Sequence, residues 1–103
     1  MTRLYEYDLY FPATATSTAE EKLVALKKAL TDFFGGLTDF RHRSAGEWKI
    51  GAVTFHDEVV LIRLLHADRD AARAHLQKIK DDLERELSQE QILIIEREVS
   101  QLD

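Results

Sequence analysis

The 103-residue chain contains no cysteine, one proline, four glycines and one tryptophan. Without cysteine there can be no disulfide, thiolate zinc site or cysteine nucleophile, and the composition fits a reducing compartment. No apolar run exceeds four or five residues, against the roughly eighteen that a spanning helix requires. The opening Met1-Thr2-Arg3-Leu4-Tyr5-Glu6 carries charges where a secretory signal needs an apolar stretch, so the expectation is a soluble, cytoplasmic protein without a membrane role. No G-x-S-x-G, Walker or G-x-G-x-x-G pattern occurs, which leaves the common nucleophile and nucleotide chemistries without support. Basic residues are the minority, 14 against 19 acids for a net charge of −5. That balance opposes nucleic acid as a partner, because phosphate binding depends on neutralising Lys and Arg. The short basic run Arg41-His42-Arg43 is too small to reverse it.

What remains is ordinary globular usage, 45% hydrophobic and 32% charged, in a length that suits one domain. A chain of this size buries roughly two thirds of its unfolded surface and needs no metal or disulfide to fold.

Alternation over Leu4–Phe11 predicts a strand at 3–11 with Tyr5, Tyr7, Leu9 and Phe11 on one face and Leu4, Glu6, Asp8 and Tyr10 on the other. Pro12 ends it, having no N–H for a ladder. Ser17 with Glu20, or Thr18 with Glu21, has capping-box spacing. Leu23, Leu26, Leu30 and Phe33 then recur at helical spacing up to Gly35-Gly36, which predicts a helix at 18–34. Strands are expected at 37–44, with a bulge at Gly46, and at 58–66, with His56-Asp57-Glu58 as a turn between them. Asp68 caps a second helix at 68–88, with an apolar stripe of Ala72, Leu76, Ile79, Leu83 and Leu87. A last strand at 91–98 leads into a frayed tail at 99–103. The order strand-helix-strand-strand-helix-strand gives an α+β fold. We expect one ferredoxin-like β-α-β-β-α-β sandwich over residues 1–103. Its four-stranded antiparallel sheet, in the order 4-1-3-2, should carry both helices on one face, with the other face open.

Phe34-Gly35-Gly36-Leu37-Thr38, Trp48 after Gly46-Glu47, Asp57-Glu58 before Val59, and Gln89-Glu90 ahead of the last strand form a pattern across residues 33–95. In order and spacing it resembles a loose group of small prokaryotic domains with a ferredoxin-like fold. The resemblance implies the fold and no reaction. It departs from the group at Lys49-Ile50-Gly51-Ala52, where relatives often have a glycine turn such as Asp-Gly.

The glycine pair is a helix C-cap rather than an anion loop, since it follows the negative end of the helix dipole. His42, His56, His66 and His75 lack the spacing of a metal site, and no metal or cofactor is expected. Base stacking of the RNA-recognition kind is disfavoured, because only Tyr10 reaches the open face, beside Glu6 and Asp8.

On that open face Arg63 comes within reach of Glu6 and Asp8 if Val60, Ile62 and Leu64 fill the core. Candidate ligand-binding residues are therefore Glu6, Asp8 and Arg63 from strand phase and His42 from the second strand. The resemblance adds Thr38, Trp48 and Glu90. Two acids against one arginine point to a neutral or cationic ligand. The leading expectation is a non-enzymatic binding module that homodimerises through the apolar surface around Leu4, Leu61 and Leu65. The alternative is a dimeric α+β barrel-type enzyme acting on a small molecule, with Asp8 or His42 as base and Arg63 as electrophilic partner.

Overall fold

The computed structural model describes residues 1–12, 17–50, 53–87 and 92–103, excepting the side chains at 17–18, 42–50 and 53–58. Its elements run β1 (Thr2–Pro12), α1 (Ser17–Phe34), β2 (Thr38–Ile50), β3 (Val53–His66), α2 (Arg69–Glu86) and β4 (Leu93–Gln101). The four strands form one sheet in the order β2-β3-β1-β4, which counted from its other edge reads 4-1-3-2. All three neighbouring pairs are antiparallel. β1 and β2 therefore run in the same direction with β3 between them, and β3 and β4 do so with β1 between them. Each helix crosses over one strand, and the two β-α-β units interleave.

Both helices cover the same face. Tyr7, Leu9 and Phe11 of β1 meet Val60, Ile62 and Leu64 of β3, together with Leu23, Leu26 and Leu30 of α1 and Ala72, Leu76 and Leu83 of α2. Phe33, expected in this core, is instead 37% exposed, and Phe34 packs against the core in its place. Positions 33 and 34 stand three and four residues on from Leu30 and flank its stripe on either side, and it is Phe34 that turns to the core. Phe33 stacks on the rings of His75 and His66, at centroid distances of 4.0 and 5.3 Å. Ile79 is only partly buried.

Ion pairs fix the helices laterally. Lys27 and Glu20 of α1 pair with Asp39 and Arg41 of β2, Arg73 of α2 pairs with Glu96 of β4, and Lys22 joins Glu86 between the helices. α1 closes on Gly35 at φ +83°, where a side chain would be strained, and the Gly35 N–H donates to the Thr31 carbonyl. Asp68 caps α2 by accepting from the Ala71 N–H at 3.1 Å. At the far end Glu84 accepts from Lys80 and from the Ile92 N–H, both at 2.7 Å, which ties α2 to the start of β4. Arg85 pairs with Asp82, while Asp81 accepts from Gln77.

β2 and β3 are longer than the sequence suggests. The expected turn at His56–Glu58 is strand, with His56 opposite Glu47 and Glu58 opposite Arg43, and pairing continues to Ile50 opposite Val53. Charged side chains suit a two-stranded ribbon as well as a turn, so polarity alone misplaces the hairpin's end. The register shifts between Arg43 and Glu47, around Gly46. The tail is also more ordered than expected: β4 pairs with β1 as far as Gln101, and the Thr2 hydroxyl donates to Asp103 at 2.7 Å. The Ser17 and Thr18 side chains of the expected capping box lie outside the described residues.

Truncating fully buried Leu64 to Ala should cost about 2–5 kcal/mol, and Phe33→Ala markedly less. Urea unfolding midpoints at unchanged m-value check both, and an equal loss for the two variants would contradict this core.

Candidate functional site

Strand register builds the site on the face that carries no helix. In the β1–β3 ladder Asp8 stands opposite Arg63 and Glu6 opposite Leu65; in the β1–β4 ladder Glu6 stands opposite Arg97 and Asp8 opposite Ile95. Directly opposed residues share a face, so two carboxylates of the central strand lie between arginines from the strands on either side. Arg63 grips Asp8 bidentately, with Nε donating to Oδ1 at 2.8 Å and Nη2 to Oδ2 at 3.1 Å. Arg97 bridges both acids, its Nη2 reaching Asp8 Oδ2 at 2.8 Å and its Nη1 donating to Glu6 Oε1 at 2.9 Å. Arg63 Nε also lies 3.5 Å from Glu6 Oε1.

Asp8 has no exposed surface. Burial by itself pushes its carboxyl pKa up, but the hydrogen bonds and charges of Arg63 and Arg97 prevail and hold it below its ordinary value. Asp8 in turn raises both guanidinium groups. The Tyr10 phenol, two residues along β1, is raised by burial and then by the Asp8 charge. Tyr10 and Val59 are buried on this face with Leu61, Leu93 and Ile95 packed against them. The Arg63 guanidinium also sits over the Phe40 ring at 5.3 Å.

Arg97 is the residue that sequence reasoning missed. It corrects the charge count: two acids face two arginines, and the network is neutral within itself. The signal was present in Ile95, Arg97 and Val99, whose alternation phases them together once Ile94 and Glu96 are placed on the helix side.

Of the candidate residues, the structure brings Glu6, Asp8 and Arg63 together, and Thr38 shares their row as the partner of Arg63 in the β2–β3 ladder. His42 pairs with Val59 and Trp48 with Phe55 through the backbone, but their side chains lie outside the described residues, as does all of Glu90. His66 and His75 stand apart from the network. His66 Nδ1 accepts from the Asp68 N–H at 2.9 Å, and His75 is lowered by burial and by Lys78. Among the described residues no three His, Asp or Glu side chains gather as metal ligands, and no helix is long and apolar enough to cross a membrane.

Chemically, the arrangement is saturated. Both Asp8 oxygens accept from arginine, so this carboxylate is neither a proton acceptor near neutrality nor a nucleophile. No protein-family model, curated protein or solved structure matches the chain.

Asp8→Asn should destabilise the fold by about 1–3 kcal/mol at pH 7, the scale of lost hydrogen bonds to a charged group, tempered by the partial exposure of both arginines. Because the folded carboxyl sits below its usual 3.8, its contribution is complete above that value and disappears as pH falls through the folded pKa. Urea titrations at pH 7 and pH 3 should therefore show the gap between wild type and Asp8→Asn narrowing in acid. A constant gap would contradict the network's role.

Proposed function

We propose that this chain is a ferredoxin-like β-α-β-β-α-β domain and a cytoplasmic, non-enzymatic binding module that homodimerises through its open sheet face. The strand order and the two interleaved β-α-β units support the fold.

The observation that carries the dimer is a face both apolar and electrically self-contained. Phe40 and Leu65 are 45% and 47% exposed, on either side of a network in which each acid already has its arginine. Among the described residues, burying such a face against a second copy strands no unpaired ion, which is the usual obstacle to burying charge. A two-fold axis would set Leu65 and Phe40 of each copy against the same surface of the other. A small ligand held near Glu6, Asp8, Thr38, Arg63, His42, Trp48 and Glu90 would be neutral, because the described charges there cancel.

The enzyme alternative, with two such sheets enclosing a cavity, draws on the same face. What weighs against it is Asp8: of the two bases it could use, Asp8 and His42, the first is fully engaged by arginine.

Light scattering at tens of micromolar should give the mass of a dimer for wild type and of a monomer for Phe40→Lys/Leu65→Lys. Both substituted positions are on exposed surface, so the far-UV spectrum should be retained. A monomeric wild type would overturn the reading.

A further inference from the structure

A cavity lies on the helix side of the sheet, opposite the arginine network, between α2 and β4. It measures about 340 Å³ and is lined by Tyr7, Arg73, Leu76, Gln77, Ile94 and Glu96, with Lys80 at its margin. That volume is within the range of small-molecule sites. Its polar groups come from two elements that register and helix phase bring together: Tyr7 stands opposite Glu96 in the β1–β4 ladder, and Arg73, Gln77 and Lys80 occupy successive turns of α2.

Tyr7 is the unexplained member. It is 2% exposed, and its hydroxyl has no hydrogen bond of acceptable geometry among the described residues. Burial and then the neighbouring Glu96 carboxylate push the phenol up to about 12. It is therefore an un-ionised O–H, available as a donor. Glu96 is held chiefly by Arg73, whose Nε donates to its Oε2 at 2.7 Å and Nη2 to its Oε1 at 2.5 Å, although the nearby Tyr7 hydroxyl also helps to lower its carboxyl pKa. A phenylalanine would fill the same core position without burying an unsatisfied donor. Phe11, on the same strand and face, is that solution two positions further on after Leu9.

We propose that this cavity binds a small neutral carboxamide carrying an apolar group, its carbonyl oxygen accepting from the Tyr7 hydroxyl. A carboxamide also presents N–H donors, which suit the Glu96 carboxylate, while Leu76 and Ile94 receive the apolar part. Ligand charge is disfavoured in either sign. Arg73 is matched by Glu96 and Lys80 by Glu84, so an added anion meets Glu96 and an added cation meets Arg73.

The test is titration of the ¹⁵N-labelled full chain with benzamide, followed through the backbone amides of Tyr7, Gln77 and Glu96. Saturable shifts are expected at millimolar concentrations. Tyr7→Phe should weaken binding roughly fivefold to tenfold, as one lost hydrogen bond does, with an undisturbed spectrum elsewhere and an unfolding midpoint no lower than wild type. Gln77→Leu, on the exposed helix surface where folding is not at stake, should also perturb the benzamide affinity. Benzoate and benzylamine, matched in size but charged, should bind more weakly than benzamide. The proposal is overturned by absence of saturable shifts, by equal affinity in Tyr7→Phe, or by a charged probe binding as well as the amide. Dimer mass should be the same in Tyr7→Phe and wild type, which separates this site from the opposite face.

Discussion

Asp8 is a carboxylate without exposed surface in the middle strand of the sheet's closed trio, and its ionised form is tolerable only because guanidinium groups reach it from both neighbours. This requirement fixes register. A one-residue slip of β3 or β4 would turn Arg63 or Arg97 to the helix side and leave the acid facing a hydrocarbon neighbour. Apolar packing on the helix face demands the same register, since Tyr7, Leu9 and Phe11 must meet Val60, Ile62 and Leu64 there. Two unrelated forces, charge compensation and hydrophobic burial, thus select one alignment, the kind of agreement that separates a native pairing from its competitors.

Desolvation of a buried carboxylate offsets much of its Coulomb gain, so the net stability from these pairs is smaller than their number suggests. The electrostatic result, among the described residues, is a network of four charged side chains that leaves no free ionic valence between them. The helix face works differently. There the ion pairs sit at the perimeter, α1 to β2 and α2 to β4, and hold each helix over its own half of the sheet.

Legibility in the sequence followed the strength of alternation. β1 alternates over its whole length, and its two faces were readable residue by residue. In β3 the aliphatic run Val59–Leu65 has a single charged interruption, Arg63, which was enough to set its phase. Ile92–Ile95 offers four aliphatics in succession with no alternation, so pattern alone sets no phase for β4 and leaves Arg97 without a face. The β2–β3 ribbon was cut short because Asp57-Glu58 reads as a turn by composition, whereas its pairing is decided by the opposite strand. Phe33 and Phe34, three and four residues on from Leu30 at the last turn of α1, flank the same stripe, so spacing alone does not choose between them. The Tyr7 cavity was invisible for a different reason: a tyrosine in a core stripe reads as packing, and only the fold discloses what its hydroxyl lacks.

The pairing scheme also has a consequence for the order in which a nascent chain can fold. The Asp8–Arg63 and Glu6–Arg97 contacts span 55 and 91 residues, whereas the β2–β3 ribbon is a local hairpin. β1 leaves the ribosome first yet meets its partners last, so Asp8 must remain hydrated until β3 and then β4 have been synthesised. The hairpin and α2 can form early, but the central strand is a late insertion between two elements made after it. Non-local closure of this kind slows folding, and it leaves a tyrosine-rich strand with unpaired edges during synthesis. The charges at Glu6 and Asp8 keep one side of that strand water-soluble while it waits.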